Sequence, residues 1–232
     1  MEPILKIAHL SKTFTMHILQ DKVIEALVDV NFNVEAGEII GLTGKSGSGK
    51  SSLMKCIYRT YLSNSGQILY RLGENFIDLA SEDEHTIIDL RKNEINYCAQ
   101  FLSVIPRVSA LQIVAQPLIK NGEDKEEATE KASEILNALG MQASLWSGFP
   151  VTFSGGEQQR VNVAKAIICP PKLLLIDEPT ASLDLKTKNI VIEMLLSLKK
   201  LGTTILCISH DEHTLEHLVD RRIHLEKGII IN

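Results

Sequence analysis

The sequence predicts an α/β fold with a mixed sheet core, a helical subdomain and an antiparallel β subdomain, and three observations predict it. The first hundred of its 232 residues are mostly strand-like, a glycine-rich loop joins a short apolar strand to a helix, and residues 156–231 alternate helices with apolar strands. Strands joined through helices run parallel and are buried on both faces.

Taken in order, residues 4–10 and 26–34 read as strands from their apolar alternation and β-branched content. Residues 38–42 form a short buried strand leading into the glycine-rich loop, and residues 50–60 form the helix after it. Residues 68–70, 77–79 and 95–98 are further strands, with the polar stretch 81–84 and a short helix near residues 87–92 between them. This half mixes sheet types. From residue 109 to 139 the pattern turns helical, and residues 123–139 carry charge on one face and Ala132, Ile135, Leu136 and Leu139 on the other, ending at Gly140. An inserted helical lobe results.

After the lobe come a helix over 156–168, a buried strand over 172–176, a helix over 186–201, a strand over 203–208 and a strand pair around 223–231. There is no internal repeat and no low-complexity segment, and the last strand lies so near the end that no regulatory appendage is expected.

Composition narrows the class. At 44% hydrophobic and 23% charged residues the chain has apolar material for one large domain. A net charge of -5 argues against a nucleic-acid partner, which needs clustered Lys and Arg. No apolar run approaches the ~18 residues that cross a bilayer, and the N-terminal residues lack the blocks of a secretion signal, so a cytoplasmic location is expected. Cys56, Cys98, Cys169 and Cys207 show no CxxC spacing and read as small buried hydrophobes.

The glycine-rich loop is the most specific motif. Gly44, Gly49, Lys50 and Ser51 carry phosphate-loop spacing, with the required strand before and helix after. Glycines let successive backbone N–H groups point into one concavity, and the helix start adds about half a positive charge. The contacting set is therefore Gly44, Lys45, Ser46, Gly47, Ser48, Gly49, Lys50, Ser51 and Ser52. Lys50 is expected to reach the β and γ phosphates of ATP, and the Ser51 hydroxyl to ligate Mg2+. A bare glycine turn would not need that flanking context.

A second element supplies acid. The apolar run 173–176 forms a strand that delivers Asp177 and Glu178 to its carboxyl end, where ligands of open α/β sheets bind. Two carboxylates there are costly without a cation. Asp177 is expected in the magnesium shell and Glu178 beside the attacking water as general base. Pro179 and the following Ser-Leu-Asp turn argue against two solvated charges at a strand end.

The stretch FSGGEQQR, residues 153–160, resembles the signature of ATP-binding cassette (ABC) proteins, and the resemblance covers nearly the whole chain. It implies a P-loop NTPase of the ABC type that hydrolyses ATP. It implies one ABC domain over residues 1–232, with the core and β subdomain at 1–99 and 150–232 and the helical subdomain at about 100–155. By the same resemblance, Ser154, Gly155, Gly156 and Glu157 of one subunit cap the γ-phosphate held by a second, which is either an identical chain or a related cassette. Gln100 becomes a magnesium and water contact, His210 the residue that senses γ-phosphate, Asp184 a side chain reaching across the dimer, and Phe14 an adenine stacking partner. Taken singly, Gln100 reads as a strand-end polar residue, His210 as a helix cap and Phe14 as core. Ser154 and Glu157 also read as a plain helix cap, which is compatible with ligand binding.

Two positions depart from the commonest family pattern, Phe153 where many members have Leu and Glu157 where many have Gln. A carboxylate near phosphate is unfavourable unless it faces the loop backbone or a base such as Arg160.

Residues 100–118 together with 152–162 are similar to the L component of the phosphonate carbon-phosphorus lyase system, the PhnL group. That similarity implies a soluble complex whose partners are other lyase components, acting in synthesis of a ribose 1-phosphonate 5-triphosphate. The ABC resemblance, in which the segment after Gln100 commonly meets partners, implies Pro106 and Arg107 as candidate partner contacts. The alternative is a nucleotide-binding subunit of a lipoprotein-release or export transporter, with membrane-spanning partners. A chromosome or repair ATPase would need a long coiled coil where only 53 residues separate Gln100 from Ser154.

Overall fold

Alternation of buried side chains organises the central sheet. In the computed structural model, which describes residues 3–16, 22–103 and 106–231, the strands are β1 (Pro3–Met16), β2 (Lys22–Glu35), β3 (Ile39–Thr43), β4 (Ser65–Leu72), β5 (Asn75–Asp78), β6 (Ile95–Cys98), β7 (Leu173–Asp177), β8 (Thr204–Ile208), β9 (Arg221–Glu226) and β10 (Ile229–Ile231). The helices are α1 (Lys50–Ile57), α2 (Glu84–Asn93), α3 (Ala110–Lys120), α4 (Lys125–Ala138), α5 (Ala143–Trp146), α6 (Gly155–Ile167), α7 (Leu185–Lys200) and α8 (Glu212–Leu218).

Six strands lie in the order β10-β9-β3-β8-β7-β6, parallel from β9 to β6 with β10 antiparallel at the edge. Ile39, Leu174, Ile176, Ile205 and Cys207 face a core shared with α3, α4, α6 and α7. Their sequence neighbours Ile40, Leu173, Leu175, Leu206 and Ile208 face a second core, shared with α1, α2 and the other sheet. Period-two geometry with both faces covered explains why these strands read as unbroken apolar runs. The second sheet, in the order β2-β1-β4-β5, is antiparallel throughout.

The elements differ from the sequence expectation at several places. Strands β1 and β2 run well beyond residues 4–10 and 26–34, because their register shifts repeatedly and the bulges interrupt apolar alternation. His9 and Asp29 sit there with φ of 52° and 48°. The expected helix over 50–60 stops at Ile57, before Arg59 with φ of 64°. The helical stretch 109–139 is two helices, broken at Gly122 with φ of 94° and restarted by the Asp124 cap. Helix α8 was not expected. It is short, and its start is fixed by Asp211 accepting from the Thr214 N–H.

Among the described residues no helix is long and apolar enough to cross a membrane. Cys56, Cys98 and Cys207 are buried free thiols and Cys169 is half-buried. Residues 104 and 105 of the anticipated partner segment, and residues 17–21 of the stretch after Phe14, lie outside the described residues.

Candidate nucleotide site

Two glycines fix the loop between β3 and α1. Gly44, at φ of 134°, carries a position where a Cβ would sit 2.1 Å from the Leu225 carbonyl oxygen, and a Cβ on Gly49, at φ of 107°, would sit 2.2 Å from the Ala26 oxygen. Only glycine fits either place. The β9–β10 turn supports the same loop, with the Gly228 N–H donating to the Ser48 oxygen at 2.9 Å and the Val28 N–H donating to the Gly228 oxygen at 2.8 Å. Helix α1 starts from Gly49 with no side-chain cap. Its first N–H groups are left to a ligand, and a helix start favours an anion.

Lys50 is 5% exposed. Its ammonium donates to the Gly44 and Lys45 oxygens at 2.7 and 2.9 Å, so the cation expected at the phosphates is held inside the curve of the loop. Burial pulls its pKa below the usual lysine value, while Glu178 and Asp177 oppose that pull. The Ser51 hydroxyl donates to Asp177 Oδ2 at 3.0 Å.

At the carboxyl end of β7, burial pushes the Asp177 carboxyl above its ordinary range, against the Ser51 hydrogen bond and Lys50. Burial likewise raises Glu178, against the His210 backbone hydrogen bond. Glu178 is held at φ of 53°, its N–H donating to the Ile208 oxygen and its own oxygen accepting from the Gln159 amide at 2.9 Å. Its buried Oε1 has no hydrogen-bond partner, and His210 Nε2 stands 3.8 Å away. A left-handed backbone in a non-glycine residue costs roughly 1–3 kcal/mol and is tolerated where the surroundings over-determine it.

These groups surround a cavity of about 410 Å³ lined by Phe14, Ile24, Ala26, Ser46, Gly47, Gly49, Lys50, Ser51, Ser52, Gln100, Asp177, Glu178, Ile208 and His210. Gln100, just beyond β6, is exposed on its wall. Phe14 is half-buried, edge-on to Tyr61 at 5.1 Å with Lys12 Nζ 4.8 Å from its ring. A hydroxyl, a carboxylate and an amide oxygen around phosphate-sized space are the donor set magnesium takes, and the glycine cradle with an uncapped helix start suits a triphosphate.

Several expected contacts stand elsewhere. Gly44, Lys45 and Ser48 do not line the cavity. Their backbone groups shape the loop, and the Ser48 hydroxyl is buried without a partner. Nor do Ser154, Gly155, Gly156, Glu157 or Asp184 appear among the described lining residues. Ser154 caps α6 in a reciprocal box, where Glu157 Oε2 accepts from the Ser154 N–H and hydroxyl at 2.8 Å each. Those bonds hold the Glu157 carboxyl below its usual range, so its charge faces the loop backbone. Asp184 caps α7, accepting from the Thr187 N–H at 3.0 Å, with Arg160 Nη2 at 3.3 Å. A Cβ on Gly156 would lie 2.9 Å from the Ser182 oxygen, which places the Ser-Leu-Asp turn directly against α6.

Sequence reasoning did not single out Gln159 or Tyr61. Gln159 lies inside the recognised stretch 153–160, one helical turn after Gly155, and that spacing was the available signal. Nothing in the sequence points to Tyr61.

Residues 27–181 match the family described as ABC transporter. The chain is 34% identical over 227 residues to the lipoprotein-releasing system ATP-binding protein LolD of Bordetella pertussis, covering 97% of this chain and 94% of that one. It is 35% identical over 206 residues to the probable syringafactin export ATP-binding/permease protein SyfD of Pseudomonas syringae, covering 89% of this chain but only 31% of that longer relative. The solved dimeric post-hydrolysis state of the ATP-binding cassette MJ0796, bound to ADP and Pi, superposes with a TM-score of 0.89 at 29% identity, covering 98% of this chain and 97% of that one.

Proposed function

The chain belongs to the ABC transporter family, and from that membership we propose that it is the ATP-hydrolysing subunit of a transporter of the lipoprotein-release or export type. It is an ATPase that binds ATP with Mg2+. The observation that carries the ATPase part of the reading is the cavity in which Ser51, Asp177, Glu178 and His210 meet the glycine loop, and the likeness to LolD supports the transporter part.

In the proposed mechanism, backbone N–H groups of residues 46–52 bind the phosphates and Phe14 stacks on the base. Lys50 leaves the Gly44 and Lys45 oxygens to face the β and γ oxygens. Ser51, Asp177 and Gln100 would hold magnesium, which neutralises phosphate charge. Glu178 takes a proton from the attacking water, favoured by a raised pKa nearer working pH, and His210 beside it contacts the γ-phosphate. Ser154, Gly155 and Gly156, with Glu157 fixing the cap and Asp184 on the neighbouring turn, serve the site of a second cassette, an identical chain or a relative. That assignment is supported by their absence from the described lining of this chain's own cavity. We read residues 1–99 and 150–232 as the core with its β subdomain and about 100–155 as the helical subdomain.

A groove of about 390 Å³ between α2, the free edge of β6, α3 and α6 includes Tyr58, Arg91, Tyr97, Pro117, Lys120 and Lys165 in its lining. Phe101, three residues after Cys98 in that lining, is 77% exposed and precedes Pro106 and Arg107 in the sequence. We propose this surface as the docking site for membrane-spanning subunits, with the chain at the cytoplasmic face of a membrane.

A second reading, a carbon-phosphorus lyase subunit, rests on the resemblance of residues 100–118 and 152–162 alone, and none of the relatives described above is a phosphonate protein. Purification of the tagged chain from detergent extract tests both. Co-isolation of membrane-spanning subunits is the expected result. A soluble assembly with phosphonate-processing proteins in their place would overturn the transporter reading.

A further inference from the structure

The backbone that carries His210 is held from three sides. The buried Ser209 hydroxyl accepts from the Asp211 N–H at 3.1 Å, and Asp211 Oδ2 accepts from the Thr214 N–H and hydroxyl at 3.0 and 2.6 Å, starting α8. The Thr180 and Thr214 hydroxyls bond at 2.8 Å, tying α8 to the loop just past Glu178. The third hold comes from another element. Lys188 Nζ on α7 donates to Asp211 Oδ1 at 2.6 Å, in an ion pair whose side chains are 21% and 28% exposed. Although burial works against it, the Lys188 and Thr214 bonds hold the Asp211 carboxyl down at about 2, so the pair stays charged across the working range.

Lys188 stands one helical turn beyond Asp184, whose carboxylate is pinned by Thr187 and approached by Arg160 of α6. The first turn of α7 thus joins α6 on one side to the His210 backbone on the other. His210 is otherwise lightly held: its side chain is 54% exposed, and its contacts to Glu178 are a 3.4 Å backbone hydrogen bond and a 3.8 Å approach of Nε2.

We propose that Lys188 is a positioning residue which, through Asp211, holds His210 toward Glu178 and transmits the placement of the Ser-Leu-Asp turn to it. The proposal rests on the reading of His210 as a γ-phosphate contact. Without the ammonium, the Asp211 carboxylate keeps its Thr214 cap and α8 still forms, but the segment 209–211 loses its tie to α7. His210 then samples orientations away from Glu178, which lowers turnover and leaves the phosphate loop unaffected.

Lys188→Met, Lys188→Arg and His210→Ala in the full chain test it. Lys188→Met is expected to lower kcat about tenfold while the KM for ATP stays within about twofold, the pattern of a group that acts in the transition state and not in ground-state binding. Its His210 imidazole signals in 15N NMR should broaden or shift, and Lys188→Arg should restore both readouts. Unchanged kcat in Lys188→Met beside an inactive His210→Ala would overturn the proposal. So would equal losses in kcat and ATP affinity that Lys188→Arg does not rescue. An active His210→Ala would instead refute the assignment of His210 itself.

Discussion

The Ser51 hydroxyl donates to Asp177 Oδ2 across 3.0 Å, joining the first turn of the phosphate-loop helix to the end of a fully buried strand. The two residues are 126 positions apart, and the bond sets together a hydroxyl and a carboxylate of the kind magnesium ligates.

That carboxylate makes the metal-free protein pH-sensitive. Burial raises the Asp177 pKa, and a carboxyl with a raised pKa contributes stability that is present at low pH and lost as pH rises through its elevated value. Asp177→Asn should therefore melt higher than the parent at pH 7 in chelator, by about 2–4 °C for each kcal/mol relieved. The difference should vanish below about pH 4, where an ordinary carboxyl is itself protonated. In Mg-ATP the order should reverse, because only the parent gains from the metal. Thermal melts across pH in both buffers check this.

Lys50→Ala removes the ammonium that now bonds the Gly44 and Lys45 oxygens. ATP affinity by calorimetry should fall by at least about tenfold, the loss of a charge-assisted bond worth roughly 1.5–3 kcal/mol. Undiminished affinity and turnover would remove Lys50 from the phosphate site.

Glu178→Gln preserves shape and removes the base. Hydrolysis should slow by roughly 10²- to 10⁴-fold with ATP binding retained. Sedimentation of the variant should show a dimer that forms with ATP and dissociates without it. A variant that stays monomeric in ATP would contradict the shared site.

Gly156→Ala should cost about 1–3 kcal/mol, since the added methyl meets the Ser182 oxygen at 2.9 Å and the turn must shift. Gly155→Ala should be mild by comparison, its Cβ meeting only the Ser182 side chain at 3.9 Å. Denaturant melts of the two variants compare them directly.

What the sequence made legible follows from geometry. Strands β7 and β8 show as apolar runs because both faces are covered, and β3 is marked by the glycine loop that must follow it. The outer halves of β1 and β2 were hidden because Ser11, Lys12 and Thr13 are polar and the pairing is bulged, which erases the period-two signal. Helix α8 was hidden by its seven-residue length. Lys50, Ser51, Asp177 and Glu178 could be named from local spacing, since each sits at a strand end or helix start. Gln159, Tyr61 and the Lys188–Asp211 pair could not, because those contacts arise only when separate elements pack.

The hairpin of β9 and β10 floors the phosphate loop through Leu225 and Gly228, yet helices α2 to α8 and strands β4 to β8 separate it in the chain from the first turn of α1. On the ribosome, the loop emerges early and waits for some 180 further residues before its supporting carbonyl and amide arrive, a separation in which co-translational folding runs N-terminus first. Nascent chains therefore acquire the nucleotide cradle only after β9 and β10 have emerged. A premature stop ahead of Leu225 forfeits it, however intact the glycine motif.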